Sequence, residues 1–500
     1  MSVFHDYLKS TDNPDPGFIA YLASLTKVAE VAPEVAAATV KELADQRSYL
    51  KLIASENFSS LSSQLAMGNL LTDKYAEGFP WHRFYAGCDN VDSIEDYAAK
   101  KACELFGCDH AFVQPHAGAD ANLIAYLAIL NAKVEVPALE KIGDMNPSHL
   151  SQEDWNKIRA ELGNQKLLGL DYYSGGHLTH GYRHNVSAQL FDAYTYTVDK
   201  ETGLLDYDAI EEMAMELKPL IFLTGYSAYP RKVNFKRMRE IADKCGAVFM
   251  VDMAHFAGLV AGGIFEGDFN PFPHAQVVTT TTHKTLRGPR GGMVLCDEEF
   301  AEAVDKACPI AMGGPLPHVM AAKAVAFTEA AQPEFKDYAK KIVENCQALA
   351  QACIDKGLTV ATGGTDNHLF LIDVTPLGLT GRQAESIVRE CGITLNRNSL
   401  PFDANGPWYT SGLRLGTAAL TSLGMGTEQM DVIADVLATV LKAAEPTVLT
   451  KGANAGKKSK AKYIIDSAVV EEAKGRVKAL LDQFVLYPEI DLEILEKAFC

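Results

Sequence analysis

The chain has no uninterrupted apolar run of membrane-spanning length, no C-x-x-C pair among its ten cysteines, and few cations for its anions. Each shortage removes a class. Without a spanning run there is no membrane helix to expect. Scattered cysteines suggest neither a zinc site nor a disulfide framework; they read as small buried apolar residues. Lys+Arg number 46 against 64 Asp+Glu, a formal charge of −18, which opposes binding to nucleic acid or an anionic membrane. Only a local basic pocket stays open. The opening MSVFHDYLKSTDNPDPG lacks a basic start and a long apolar core, so a cytoplasmic protein is expected. No internal repeat is evident.

What is present is the composition of a globular protein, 48% hydrophobic and 22% charged. Five hundred residues exceed one ordinary core, so two or three domains are expected. The spacing gives an N-terminal helical arm over 1–45, a large domain over 46–340 with a polar insertion at 133–169, and a smaller domain over 341–500. Strand-like runs alternating with helices in the large domain point to an α/β fold with a mostly parallel sheet. The smaller domain, with runs at 369–374, 393–395 and 413–415, reads as α+β. A long alanine-rich helical region over 319–356 bridges the two. The Gly/Lys/Ala-rich stretch within 443–465 reads as an exposed loop, and 468–484 as a helix packing back.

The most informative stretch is QVVTTTTHKTLRGPRGG, 276–292. A β-branched apolar run climbs to His283 and Lys284, and a glycine-rich turn follows. A lysine after an edge strand is more often simply solvated. At the end of a buried strand its pKa falls, and the free amine can attack a carbonyl. A second apolar run, AVFMV, ends in Asp252, with His255 close behind. Parallel strands of one open sheet share the edge where ligands bind, so an acid and a lysine would face one crevice. This is the pair required by pyridoxal 5′-phosphate: lysine holds the aldehyde and the carboxylate keeps the pyridine nitrogen protonated.

Other segments join this edge. AFVQPHAGADAN carries a strand into a small-residue turn that opens a helix, placing free N–H groups of Gly118 and Ala119 where a phosphate would sit. GGHLTHG brings His177 beside Gly176. SGLRLGT puts Arg414 into an otherwise apolar strand, where it needs a carboxylate partner, structural or a ligand's. LIASENF and KYAEGFPWHRFYAG cluster Tyr, Glu and Gly on loops, which more often serve a site than a core.

Taken together, TTTTHKTLRGPRGG, VDMAH-AGL, KYAEG, GGHLTHG and SGLR-GT, in this order over about 52–427, resemble serine hydroxymethyltransferase, a fold-type I pyridoxal phosphate enzyme. The resemblance implies an aspartate-aminotransferase-like large domain and a reaction that moves the hydroxymethyl group of serine to tetrahydrofolate, giving glycine and methylenetetrahydrofolate. It implies that Lys284 holds the cofactor, that Asp252 faces the pyridine nitrogen, that His177 stacks on the ring, that His255 lies near the ring hydroxyl, and that Ser227 contacts the hydroxyl or carboxylate region. His283, Gly118 and Ala119 would complete that cofactor site. Arg414, assisted by Ser55, would bind the substrate carboxylate. Glu77 would be the acid/base near the substrate hydroxyl. Tyr75 and Tyr85 would reach in from a neighbouring subunit, and Gly313 and Gly314 would touch the phosphate across that interface, so a homodimer or dimer of dimers with shared active sites follows. Tyr172, Gly176, His177, Leu178 and Asn398 would contact the folate. No metal is implied. Ala117-Gly118-Ala119 stands where the family usually has serine-rich sequence, leaving the phosphate to backbone amides. A folate-independent aldolase of 3-hydroxy amino acids would share the lysine, aspartate and arginine.

Overall fold

The apolar runs that end in chemically active residues are strands of one sheet. The computed structural model describes residues 3–10, 12–306, 308–451 and 455–500. Seven strands, β1 His110–Phe112, β2 Lys166–Leu170, β3 Asp192–Tyr196, β4 Ile221–Gly225, β5 Val248–Asp252, β6 Val277–Thr281 and β7 Gly292–Cys296, lie side by side in the order β1-β7-β6-β5-β4-β2-β3. Every residue of β4, β5, β6 and β7 is buried, the pattern of strands covered by helices on both faces. β2 to β6 pair in parallel, and β7 alone runs against its neighbours. Asp252 sits in register with Thr279. The turn after β6 that carries His283 and Lys284 therefore leaves the sheet at the edge where Asp252 ends β5.

The helix before β5, Phe235–Cys245, follows the signals of its sequence. Asn234 caps it by accepting from the Arg237 amide, and Gly246 ends it at φ 77°. Two apolar clusters fill the two faces of the sheet.

A third cluster surrounds an antiparallel sheet of four strands, β8 Thr359–Val360, β9 Leu369–Asp373, β10 Asn396–Asn398 and β11 Gly412–Gly416, in the order β8-β9-β11-β10. The helix Pro333–Asp355 crosses the expected boundary at 340/341 unbroken: Phe335 to Ile342 pack in the core of the large sheet, and Cys346 onward in that of the small one. Three helices, Val3–Ser10, Pro16–Ala29 and Pro33–Ser48, form the arm. They close on the end of the same chain, burying Phe18, Leu22 and Val40 with Leu486, Ile490 and Leu495. Arg47 donates to the carbonyls of Leu486, Tyr487 and Ile490 at 2.6–2.9 Å.

Several expectations are corrected. The polar insertion ends earlier than 169, because Lys166–Leu170 is a strand of the central sheet with four buried residues. Its start continues the helix Gly118–Leu130 through a π-turn into Val136–Ile142, and only Gln152–Gly163 is a separate helix. The region 319–356 is two helices, because Pro333 starts a new one where it cannot donate to the preceding turn. Ile393–Thr394 pairs in parallel with Leu50–Lys51 outside the four-stranded sheet, and Asn396–Asn398 takes the place expected for it. The stretch at 443–465 is a hairpin of Glu445–Val448 and Lys458–Ile464 rather than a loop; residues 452–454 lie outside the described residues. Among the described residues one helix, Gly118–Ile142, is long and apolar enough to cross a membrane, and 56% of its most apolar window is buried inside the protein.

Candidate active site

The strand ends enclose a cavity of about 540 Å³ between the large sheet and the four-stranded sheet. Lys284 and Asp252 both line it, as do His177, His255, His283, Ser227, Gly118, Ala119, Ser55, Arg414, Tyr172, Gly176, Leu178 and Asn398. Two glycines are fixed by contact. A Cβ on Gly118 would lie 2.6 Å from Thr281 Cγ2, and one on Gly176 would lie 2.0 Å from the Leu170 carbonyl. A side chain at Gly176 does not fit without moving the strand backbone, and one at Gly118 would displace the Thr281 methyl.

Asp252 is held by a network. Its Oδ2 accepts from Asn122 Nδ2 at 2.9 Å and contacts His180 Nε2 at 3.1 Å, and its Oδ1 accepts from the Ala254 amide at 3.0 Å. Burial alone would raise its pKa, but the hydrogen bonds and charges of His180 and His177 and the Asn122 amide hold the carboxyl well below the usual range. It is an anion at neutral pH.

The same network sets His177. Asn122 donates to Thr179 Oγ1 at 2.7 Å, leaving that hydroxyl to donate to His177 Nδ1 at 2.7 Å, and the Thr179 amide also donates to this nitrogen at 3.3 Å. With Nδ1 accepting, the ring proton sits on Nε2. Burial pushes the pKa down to about 4, against the pull of Asp252. His177 is thus a neutral, flat ring at the cavity wall. Asp252, His177 and His180 offer donor atoms within 4.8 Å of one another, and these hydrogen bonds account for that grouping.

Burial is also the first cause at Lys284, lowering its pKa to about 8; Asp252 opposes the shift while Arg414 and Arg290 add to it. A sizeable fraction of the amine is then free near pH 7–8, as a nucleophile requires. Arg414, lowered by burial to about 10, has no ion-pair partner among the described residues. Its Nε donates to Asn396 Oδ1 at 3.0 Å and one terminal nitrogen to the Ser227 carbonyl at 2.6 Å. The expected carboxylate is therefore not supplied by the described residues, and a largely enclosed guanidinium with donors to spare faces the cavity.

Tyr75, Glu77, Tyr85, Gly313 and Gly314 do not line this cavity. They gather elsewhere: Tyr85 donates to Glu77 Oε2 at 3.4 Å, the rings of Tyr75 and Tyr85 lie edge to face at 4.9 Å, and Gly313 and Gly314 abut Glu77 and Tyr75. Arg83 anchors their loop, donating to the Ala76 and Gly78 carbonyls and to Asp92 and Glu95 of the helix Asp89–Phe106. Tyr75 remains 54% exposed and Phe84 69% exposed, which marks an uncovered aromatic surface.

Sequence reasoning missed the residues beneath the site. Asn122 and His180 act on Asp252 from 130 and 72 residues away. Lys323, fully buried, donates to the carbonyls of Val113, Pro115 and Gly292 at 2.6–2.9 Å. Burial pulls it down to about 7, yet three carbonyl acceptors require three N–H donors, which only the ammonium has. It ties the turn before Gly118 to the start of β7. A signal existed: Lys323 shares a helix face with buried Met320 and Phe327. Lys323→Met should destabilise the protein by on the order of 3 kcal/mol, since it leaves the buried Val113 and Gly292 carbonyls without the ammonium, while Pro115 keeps the Gly292 amide; urea unfolding would measure it, and an unchanged midpoint would refute the role.

Compared with known proteins, the chain matches the family model described as serine hydroxymethyltransferase over residues 28–164 and 151–437. The two matched segments overlap over 151–164, which holds the helix Gln152–Gly163. It is 60% identical over 501 residues to a serine hydroxymethyltransferase of Treponema pallidum, covering 100% of this chain and 86% of that one. It is 57% identical over 474 residues to the Salinispora tropica protein of that name, covering 95% and 98%, and 55% identical over 481 residues to that of Mycolicibacterium smegmatis, covering 96% of each.

Proposed function

Since the chain belongs to the serine hydroxymethyltransferase family, we propose that it reversibly transfers the hydroxymethyl group of serine to tetrahydrofolate, giving glycine and 5,10-methylenetetrahydrofolate, with pyridoxal 5′-phosphate as cofactor. The observation that carries this reading is the convergence on one cavity of a buried amine, a buried carboxylate and an arginine without a carboxylate.

The residues fit the cofactor. Ala117 gives the helix Gly118–Leu130 no side-chain cap, so its first amides are left for an anion, and His283 Nδ1 is buried without a hydrogen-bond partner among the described residues. When bound, pyridoxal 5′-phosphate supplies an electron sink for the pair released at the amino acid's α-carbon. Lys284 would offer the amine that holds it, Asp252 would keep a proton on its ring nitrogen, and the neutral ring of His177 would support it. Arg414, with Ser55 beside it, would grip the substrate carboxylate and so set the orientation of the amino acid in the cavity. His255 would serve the ring hydroxyl, and Ser227 that hydroxyl or the carboxylate region. Tyr172, Gly176, Leu178 and Asn398 rim the cavity where the folate enters. The discriminating experiment is the rate of serine cleavage with and without tetrahydrofolate. Strong acceleration is expected; equal rates would favour the aldolase.

Glu77 carries the proton exchanged with the departing hydroxymethyl oxygen, and it does so in a neighbouring copy of the chain. Its placement off its own cavity, beside Tyr75, Tyr85, Gly313 and Gly314 on an exposed aromatic surface, supports a homodimer or dimer of dimers with shared sites. Mixing Lys284→Ala with Glu77→Leu, each inactive alone, should then regain roughly a quarter of full activity, since half of randomly paired dimers carry one complete site of two. No regain would place Glu77 in its own subunit's site. A cytoplasmic location belongs to the same reading.

A further inference from the structure

Behind the cavity wall lies a pair of buried imidazoles that the reaction above does not use as a pair. His255 Nδ1 meets His368 Nε2 at 3.2 Å, the rings being 5.4 Å apart and tilted by 31°. Both are enclosed, at 2% and 0% exposure. His368 precedes β9 in the small sheet, while His255 follows β5 in the large one. Only His255 lines the cavity. With Nδ1 engaged by His368, its Nε2 is the nitrogen left for whatever the cavity holds.

The contact admits one proton, and its owner decides what the cavity meets. Lys284 and Arg414 both act on the pair, and burial with these cations keeps both rings neutral. In one arrangement His255 donates from Nδ1, and His368 must carry its own proton on Nδ1. That nitrogen is buried and has no partner among the described residues, so the proton would be an orphaned donor. In the other, His368 donates from Nε2, and its Nδ1 is only a bare lone pair. Orphaned buried N–H groups are the rarer and costlier of the two. The second arrangement forces the His255 proton onto Nε2, toward the cavity.

We propose that His368 is a positioning residue that fixes His255 in the Nε2–H tautomer, so that the cavity is met at this point by a hydrogen-bond donor. Resting on the functional reading, the acceptor is the phenolic oxygen of the cofactor, which the donor holds as the oxyanion. The tautomer itself is a property of the protein alone.

The test is nitrogen-15 NMR of histidine-labelled protein prepared without cofactor, with His255 assigned by the resonances lost in His255→Gln. The parent protein should show His255 with a protonated Nε2 and a bare Nδ1. In His368→Leu, which removes the donor, the two nitrogens should move toward averaged or exchanged positions. His368→Gln, whose amide can donate from about the same point, should restore the parent pattern. A parent His255 protonated on Nδ1, or a His368→Leu spectrum identical to the parent's, would overturn the proposal. Should His368→Leu fail to fold, the parent spectrum and that of His368→Gln still decide it. Because the readout needs no cofactor, its result stands apart from the functional reading. Adding pyridoxal 5′-phosphate to the three proteins then reports the consequence: its visible absorbance should differ from the parent's in His368→Leu and return in His368→Gln.

Discussion

Lys284→Ala should abolish serine turnover, by about a thousandfold or more in kcat, while leaving the fold intact. Among the described residues no other lysine lines the cavity, so no second amine there stands ready to replace it. The same amine is a cost to the empty protein. Its folded pKa of about 8 lies below the ordinary 10.5 of a lysine amine, so folding opposes its protonated form. The penalty is complete below pH 8 and fades as pH rises from 8 to about 10.5. Lys284→Met in the cofactor-free protein should therefore gain about 3 kcal/mol at pH 7, from 1.36 kcal/mol per pKa unit, and almost nothing near pH 11. Urea unfolding across that range would show it; a pH-independent difference would mean that the amine is not desolvated.

The second large effect is expected at Arg414. Its guanidinium spends two donors on Asn396 and the Ser227 carbonyl and keeps the rest for an incoming carboxylate. Arg414→Ala removes two charge-assisted hydrogen bonds worth about 1.5–3 kcal/mol each, a loss of about 10²–10⁴ in kcat/KM. Arg414→Lys keeps the charge but not the fork, and should recover only a small part. The loss should appear in KM for serine and in kcat together, because the same grip holds the substrate and sets the orientation of the breaking bond. Unaltered serine affinity would mean that the carboxylate is bound elsewhere.

Much of this was legible from the residues. The runs ending at Asp252 and Lys284 could be read as neighbouring parallel strands because both are continuously apolar, and strand ends of one sheet must share an edge. Arg414 was legible because a charge in an apolar strand needs a partner. What escaped were groups whose role exists only through distant partners: Asn122 and His180 under Asp252, His368 behind His255, Lys323 under the turn before Gly118. Lys323 sits in an alanine-rich helix where a lysine ordinarily faces water. The hairpin at 445–464 escaped because its lysines, on the exposed side of Lys458–Ile464, mask an alternation whose buried member is the hydroxyl residue Ser459. Charged edge strands of this kind resist pairing with other chains, and they look like loops in composition.

The central claim is that residue 284 is the amine that holds a carbonyl in this cavity. The protein should be mixed with pyridoxal 5′-phosphate, reduced with borohydride and digested, and the site of the added mass located by mass spectrometry. The pyridoxyl group is expected on Lys284 alone, with labelling lost in Lys284→Ala. Attachment to another lysine, or none at all, would contradict it.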